Sequence, residues 1–173
     1  MDIFVEQLVK KKKSTGQIVA IAGTILLALI LLALSVLLIG IVGPLSAIII
    51  VAVFYGAWYL LTAQNIEYEY CVTNGDIDID RIVAQRKRER IVSVAGRKIE
   101  SAGRYVPEKW TGRNIDRTVV AAPSDREENL YYFTYHSKKR GNTLVIFQPD
   151  DRVKESLYEG LPKLVQLDWD KDE

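Results

Sequence analysis

The sequence has few residues suited to covalent or metal chemistry. Among its 173 residues there is one cysteine, Cys71, and one histidine, His136. A lone cysteine excludes an intramolecular disulfide, and together with one histidine it excludes the cysteine and histidine clusters that bind structural zinc. The glycines at 96, 103 and 112 are too widely spaced for a phosphate-binding loop. We therefore expect a protein that is not an enzyme, with no catalytic residue, no cofactor and no metal.

Charge is missing from a long stretch in the first half of the chain. The 53 residues 14–66 contain no Asp, Glu, Lys, Arg or His and are mostly Ile, Leu, Val and Ala. A helix of roughly 20 apolar residues crosses the hydrocarbon core of a bilayer. Residues 18–39 and 45–61 form two such runs, and the two glycines and one proline between them break the helix. The sequence predicts a two-helix transmembrane hairpin over residues 17–62.

Flanking residues orient this hairpin. Clustered lysines beside a span are retained on the cytoplasmic side, and aromatic rings with a polar edge prefer the membrane interface. We expect a multi-pass cell-membrane protein with two spans, a cytoplasmic N-terminal segment at residues 1–16, and both termini in the cytoplasm. The residues expected to orient and anchor it are Lys10, Lys11, Lys12, Lys13, Tyr55, Trp58 and Tyr59.

Small residues recur at helical spacing on both predicted spans, at Ala20, Thr24 and Ala28 and again at Ala52 and Gly56. Small side chains let helices approach closely in a membrane. These residues either pack the two spans against each other or provide a face for self-association, so a homo-oligomer remains open.

The part after the spans begins with a strong hairpin signal. Residues 66–80 alternate between apolar and polar side chains around Asn74 and Gly75, a pair that accepts the positive φ angles of a type I′ turn. A two-residue turn sets Glu69 opposite Asp80. Because like charges on neighbouring strands repel, we expect cations nearby, and the arginines before the next apolar stretch are suitable.

The remaining pattern predicts more strands and one terminal helix. Apolar, β-branched and aromatic runs indicate strands at residues 91–94, 118–121, 130–135 and 143–147. Residues 96–116 are predicted to be mostly loop, with one or two short strands around 98–101 and 104–106. After Pro149 the apolar period becomes helical, and Asp150 or Asp151 is suited to cap a helix that Gly160 and Pro162 end. A terminal helix must bury its apolar face, and the sheet is the available partner.

Three segments of the chain resemble a known family. The hairpin at Tyr70–Gly75 and the Val145–Asp151 run resemble bacterial pleckstrin-homology-like domains that follow paired membrane spans. Met1–Lys10 is similar to the start of a group of small two-span bacterial membrane proteins. The resemblance implies an α+β membrane protein, in which the hairpin is followed by an antiparallel β-rich cytoplasmic domain at residues 66–173, closed by a C-terminal helix at about 151–160. It implies a binding platform for lipid headgroups, peptides or proteins and assigns no activity.

Positive charge is concentrated in one part of the soluble region. Residues 81–117 hold eleven Lys or Arg and four Asp or Glu, whereas the whole chain has a net charge of +1. The candidate lipid-binding or partner-binding residues are Arg86, Lys87, Arg88, Arg90, Arg97, Lys98, Arg104, Lys109 and Trp110. The alternative is a solvated face partly neutralised by Asp76, Asp78 and Asp80, with Trp110 in the core. The charge comes without a nucleic-acid-binding motif, so no nucleic acid is expected.

These observations lead to three functional hypotheses. The first is a membrane-anchored, non-catalytic binding or scaffold module that presents its β-rich domain to a protein partner. The second is recognition of anionic lipid headgroups by the basic face at residues 81–117. The third is an assembly subunit of a membrane complex that acts through its spans.

Overall fold

A computed structural model describes residues 3–125 and 128–169, of Asp168 only the backbone. The chain divides into two units. One comprises residues 1–11, 67–82 and 86–173, and the other residues 12–66 and 83–85. The acidic C-terminal end, whose order the sequence left open, lies outside the described residues.

The helical unit contains α1 (Thr15–Leu37), the single-turn α2 (Ile39–Val42) and α3 (Leu45–Ala63). A capping box begins α1: the Ser14 side chain accepts a hydrogen bond from the Gln17 backbone N–H, and the Gln17 side chain accepts one from the Ser14 N–H. Gly43, with φ +59°, and Pro44 separate α2 from α3. The predicted break in the apolar stretch is therefore confirmed, with one helical turn inserted in it.

The described residues form two four-stranded sheets. The first has the order β1-β2-β3-β4, with β1 (Phe4–Lys10), β2 (Ile66–Thr73), β3 (Asp76–Val83) and β4 (Lys87–Val94). The second has the order β5-β7-β8-β6, with β5 (Ile99–Arg104), β6 (Arg117–Ala121), β7 (Tyr131–Ser137) and β8 (Gly141–Phe147). Two C-terminal helices follow, α4 (Asp151–Gly160) and α5 (Lys163–Trp169).

Most of the predicted elements are present. Asn74 and Gly75 have positive φ angles of 51° and 82° between β2 and β3, as the hairpin signal required. The terminal helix begins at Asp151 after the cap Asp150, whose Oδ1 accepts a hydrogen bond from the Val153 N–H at 2.9 Å. The predicted α+β fold with a β-rich domain and a closing helix is confirmed.

Residues 96–116 contain one strand, β5, where one or two short strands were expected. Beyond it the Tyr105 N–H donates to the Leu130 carbonyl, and the 3₁₀-helix Pro107–Trp110 follows. Two other predictions in the β-rich part were wrong. β6 runs parallel to β8 in a sheet expected to be antiparallel. A further helix, α5, follows the expected stop at Pro162, because proline is well accommodated at the start of a helix.

The N-terminal segment is also part of the β-rich unit. β1 pairs with β2 in antiparallel register from Phe4 opposite Thr73 to Lys10 opposite Glu67. We predicted a separate N-terminal segment at residues 1–16 and a domain starting at residue 66, so this strand corrects both boundaries. The physical reason is a partner that is distant along the chain: β2 forms the backbone hydrogen bonds of β1. Because side chains alternate between the two faces of a strand, Val9 points into the core.

The core of the β-rich unit is formed by side chains from both sheets and from α4. Tyr70, Phe133 and Phe147 are fully buried, and Phe147 makes edge-to-face contacts with the other two rings at centroid distances of 5.7 and 5.3 Å. Val153 and Leu157 of α4 are fully buried as well. Each such side chain contributes about 1.5–3 kcal/mol on burial. α4 is thus the closing helix that the sequence predicted.

Candidate functional site

The edge strand β1 presents an apolar surface to solvent. Phe4 and Leu8 are 62% and 49% exposed, and Glu6 and Lys10 share this exposed face. β1 ends the strand order of its sheet, so one of its long sides has no neighbouring strand among the described residues. Exposed edge strands are templates for pairing with another chain. The domain prediction missed this strand, because the apolar Phe4 and Leu8 on its exposed face interrupt the apolar–polar alternation that indicates a strand.

The hydrogen bonds at the start of β1 determine which backbone groups point to the open side. Asn74 N–H donates to the Ile3 carbonyl at 3.0 Å, and Ile3 N–H donates to Asn74 Oδ1 at 3.0 Å. Ile3 therefore bonds toward β2, and residues along an antiparallel strand alternate in this respect. The N–H and C=O groups of Phe4, Glu6, Leu8 and Lys10 consequently point away from β2.

Two arginines of the predicted basic face contact carboxylates of the same sheet. Arg90 Nε and Nη1 lie 2.8 Å from Asp80 Oδ1 and Asp78 Oδ2, respectively. Arg88 Nε lies 3.4 Å from Asp80 Oδ2, and Arg88 Nη2 pairs with Glu69 Oε2. The side chains of Glu69 and Asp80 are buried. Cations near these carboxylates were predicted from the hairpin, and the structure brings them there.

The electrostatics of this cluster favour the charged state of the arginine and disfavour ionisation of the thiol. The hydrogen bond to Asp80 raises the pKa of Arg90 above its ordinary value. Burial, followed by the charges of Glu6, Asp80 and Asp78, raises the pKa of Cys71. A raised pKa depletes the thiolate, which is the reactive form of cysteine. Cys71 is thus poorly suited to nucleophilic chemistry.

The other predicted basic residues lie on several separate elements. Arg86 and Lys87 are at the turn into β4, Arg97 and Lys98 in the 3₁₀-helix Gly96–Lys98, Arg104 at the end of β5, and Lys109 in the 3₁₀-helix Pro107–Trp110. All six are exposed. Their use as a binding site stays a prediction. The structure brings Arg88 and Arg90 together on one acidic cluster and distributes the others along the chain.

Trp110 belongs to a small hydrophobic cluster at the second sheet. Its ring contacts Tyr132 edge-to-face at a centroid distance of 4.6 Å, and the Arg113 guanidinium lies 4.7 Å from the centre of the ring. The indole packs against a core formed by Ala122, Leu130, Leu144 and Ile146. This environment agrees with the alternative in which Trp110 is a core residue and not a binding residue.

The expected anchor residues lie at the end of β1, just before α1 and in the last turns of α3. Lys10 ends β1, where its Nζ lies 3.8 Å from Glu67 Oε1, and Lys11–Lys13 lead into α1. Near the end of α3, the Tyr55 ring contacts Trp58 in a tilted arrangement and stacks with Tyr59, at centroid distances of 5.8 and 6.5 Å. The three rings are exposed on one helix face, as expected for an interfacial aromatic belt.

The two long helices have the length and composition of membrane spans. Their mean hydropathy values are 2.8 for α1 and 2.0 for α3. Small residues line an apolar groove of about 480 Å³ on this unit, including Thr24, Ala28, Ala52 and Gly56. A Cβ on Gly56 would meet nothing within 4 Å, so the absence of its side chain is not required by the packing of α1 on α3.

Comparison with known proteins assigns the family. Residues 1–167 match the family described as Bacterial PH-like domain (DUF6106), a range that includes β1, both apolar helices and most of the β-rich unit. The sequence matches no curated protein and no solved structure. Because the family match extends over nearly the whole chain, the protein belongs to the bacterial PH-like domain family DUF6106.

Proposed function

We propose that this protein is a membrane-anchored, non-catalytic binding module that presents its β-rich unit to a protein partner. PH-like domains generally act as binding or scaffold modules, which supports this class. The observation that carries the proposal is the exposed edge of β1, where Phe4 and Leu8 stand in solvent beside backbone groups that point outward. A partner that adds an extended strand there gains both hydrogen bonds and apolar contacts.

Membrane anchoring is supported by the exposure of α1 and α3. Only 6% of the apolar window in each helix is buried within the chain, whereas a core helix of a soluble protein is mostly buried. Such apolar surfaces are stable in hydrocarbon. A cleaved signal sequence is a poor alternative, because cleavage after α1 would also remove β1 from its sheet.

The pairing of β1 with β2 also supports the two-span topology. β1 precedes α1, β2 follows α3, and the two strands share one ladder. Strands that pair must lie on the same side of a membrane, so the chain crosses an even number of times. Clustered Lys10–Lys13 favour the cytoplasm for that side.

A photo-crosslinking amino acid at Leu8 in the full-length protein, in its native membrane, tests the proposed surface. The control position is Val120, which is 38% exposed on the edge strand β6 of the other sheet. We expect a defined adduct with a polypeptide at Leu8 and none at Val120. Absence of an adduct at Leu8, or the same adducts at both positions, would remove β1 as the partner surface.

Recognition of anionic lipid is a second candidate, supported by the β3–β4 turn. Ala84 N–H donates to the Asn65 carbonyl at 2.8 Å, and Asn65 lies two residues beyond the end of α3. This bond brings the turn close to the expected membrane boundary, and Arg86 and Lys87 follow it directly. Each basic residue near an anionic leaflet contributes about 1 kcal/mol.

Hydrogen exchange of the full-length protein in nanodiscs tests the lipid hypothesis. Anionic lipid should slow exchange of residues 83–87 relative to neutral lipid, and Arg86→Ala with Lys87→Ala should abolish the difference. The matched control is Lys138→Ala with Lys139→Ala in the exposed β7–β8 turn. Exchange that is insensitive to lipid charge would reject this candidate.

Assembly through the spans is the third candidate, supported by the open groove beside Gly56. Gly56→Leu would fill this groove without disturbing the contact between α1 and α3. If the spans form the assembly, the variant should shift a cross-linked oligomer to smaller species while the protein stays folded. An unchanged cross-linking pattern would rule out this face.

A further inference from the structure

We propose that the strand which occupies the β1 edge is β1 of a second copy of this chain, paired in antiparallel register around Leu8. This inference rests on the proposed function, because it names the occupant of the same edge. The resulting interface is a continuous sheet with a two-fold axis midway between the two Leu8 residues.

The backbone of β1 suits this register. In an antiparallel pair, residues directly opposite each other exchange two hydrogen bonds only where both have their N–H and C=O groups directed at the partner. Glu6, Leu8 and Lys10 have this direction on the open side of β1, as the Ile3 and Asn74 bonds establish. Pairing around Leu8 sets Leu8 opposite Leu8 and Glu6 opposite Lys10, so all the opposed residues are of the bonding type.

The charges on the exposed face are complementary to themselves in this arrangement. Glu6 and Lys10 lie two residues before and two residues after Leu8. Antiparallel pairing around Leu8 therefore faces Glu6 of each copy with Lys10 of the other, on both sides of a central Leu8 contact. Centring the pair on Glu6 instead would oppose two carboxylates, which is unfavourable. The side-chain charges thus favour the register centred on Leu8 over the one centred on Glu6.

Two of the side chains that this pairing brings together are accessible in the single chain. Leu8 is about half exposed, and the Lys10 side chain is 79% exposed. Lys10 has an ion pair with Glu67, but at 3.8 Å on the surface such a pair contributes little, so the lysine can turn to a second carboxylate. Anchoring both copies in one membrane would raise their effective concentration for this contact.

Disulfide trapping in the full-length protein tests the register. Leu8→Cys is introduced together with Cys71→Ser, and membranes are treated with a mild oxidant. Opposed bonding residues have Cα atoms about 5.5 Å apart, which suits a disulfide. We expect a disulfide-linked dimer from the Leu8→Cys chain, and none from the Val120→Cys control on β6. A folded Leu8→Cys chain that gives no dimer would overturn the inference.

Charge reversal in two differently tagged copies provides the second arm. In a dimer of the Glu6→Lys variant, a lysine at position 6 of each copy is opposite Lys10 of the other. In a dimer of the Lys10→Glu variant, two carboxylates are opposite each other in the same way. The yield of trapped dimer should therefore fall about tenfold for each variant alone. Mixed in one membrane, the two variants regain both opposite-charge pairs and should restore the dimer as a heterodimer. Restoration also shows that each variant folds. Equal trapping in all combinations, or no rescue, would reject the proposed pairing.

The two proposals fail differently. If a photo-crosslinker at Leu8 forms an adduct with another polypeptide while the Leu8→Cys chain gives no dimer, the second copy is not the occupant but the partner-binding edge stands. If neither an adduct nor a dimer forms, both proposals are wrong.

Discussion

The backbones of Gly75 and Gly160 lie in direct contact, with no side chain between them. Gly75 is at the tip of the β2–β3 hairpin, and Gly160 is the last residue of α4. A Cβ built on either glycine would overlap the backbone of the other. Gly96 joins the same junction, since a Cβ there would overlap the carbonyls of both. The closing helix is thus fitted to the first sheet through backbone contact.

Substitution at this junction should destabilise the β-rich unit. Gly75→Ala combines the overlap with a φ of +82°, and we expect a loss of about 3 kcal/mol or more in the free energy of unfolding. Gly112→Ala is the matched control, because its φ is +80° but a Cβ there meets nothing within 4 Å. It should cost about 1 kcal/mol. Denaturant unfolding of the full-length protein, followed by tryptophan fluorescence, measures both, and equal losses would contradict the role of the contact.

Arg88 should be required for stability, whereas its neighbour Lys87 should not. Arg88→Ala leaves the buried carboxylate of Glu69 without the ion pair that its Oε2 forms with Arg88 Nη2. We expect a loss of about 1–3 kcal/mol. Lys87→Ala, at an exposed position, should change the free energy of unfolding by less than about 0.5 kcal/mol. Similar effects from both variants would show that the acidic cluster does not depend on Arg88.

This difference also affects lipid-binding experiments. Reversing the charges of Arg88 and Arg90 removes partners from buried carboxylates, so lost binding would not distinguish lipid recognition from unfolding. Lys87, Arg97 and Lys98 are better positions for such tests because, among the described residues, none of them forms an ion pair with these buried carboxylates. A fragment starting near residue 64 is equally unsuitable, because it lacks β1.

The buried hydroxyl of Tyr70 should make stability depend on alkaline pH. It donates to the Ala121 carbonyl and accepts from the Gln148 N–H at 3.3 Å. Burial raises the pKa of Tyr70 above the ordinary value of 10, so the folded protein retains a proton that the unfolded chain releases above pH 10. The Tyr70 contribution is therefore complete below pH 10 and lost as the pH rises further.

Tyr70→Phe provides the comparison. The variant leaves the Ala121 carbonyl and the Gln148 N–H without this partner, at a cost of about 1–3 kcal/mol below pH 10. Its unfolding free energy should fall less steeply above pH 10 than that of the wild type. Parallel pH profiles for the two proteins would show that Tyr70 titrates equally in both states.

Asp150 should stabilise α4 as its N-cap, and this effect should be lost in acid. Burial opposes ionisation of the carboxylate, but hydrogen bonds from the Val153 N–H and from Arg152 outweigh it and lower the pKa of Asp150 below the ordinary 3.8. The contribution is present above that value and disappears as the pH falls through the lower folded pKa. Asp150→Ala should cost about 1 kcal/mol at neutral pH.

The neighbouring Asp151 is the control for the cap. Its exposed carboxylate pairs with Lys154 at 2.8 Å on the surface, so Asp151→Ala should cost less than about 0.5 kcal/mol. Thermal unfolding by circular dichroism compares the two variants. An equal shift in Tm would contradict the assignment of Asp150 as the cap.

Local signals predicted the β2–β3 hairpin and α4 well, for clear reasons. Asn74 and Gly75 tolerate positive φ angles whatever surrounds them, and Asp150 caps a helix through an oxygen only three residues from its donor. Such preferences act within a few residues along the chain. The parallel pairing of β6 with β8, by contrast, depends on a path through β7 that no local pattern encodes.

The candidate site was less predictable than the fold. The basic count over residues 81–117 was read directly from the sequence, but the separation of Arg88 and Arg90 from the remaining basic residues was not. Their carboxylate partners lie eight or more positions away along the chain. Only pairing of the strands determines which charges neutralise each other.

The amino-acid sequence by itself determined the two apolar helices, the turn between β2 and β3 and the capped helix α4, because solvent preference and backbone propensity are properties of short segments. The tertiary structure alone decided that residues 4–10 form an edge strand and that Gly75 meets Gly160. These pairing partners and backbone contacts join segments more than 50 residues apart, where burial and hydrogen bonding act only after the chain has folded.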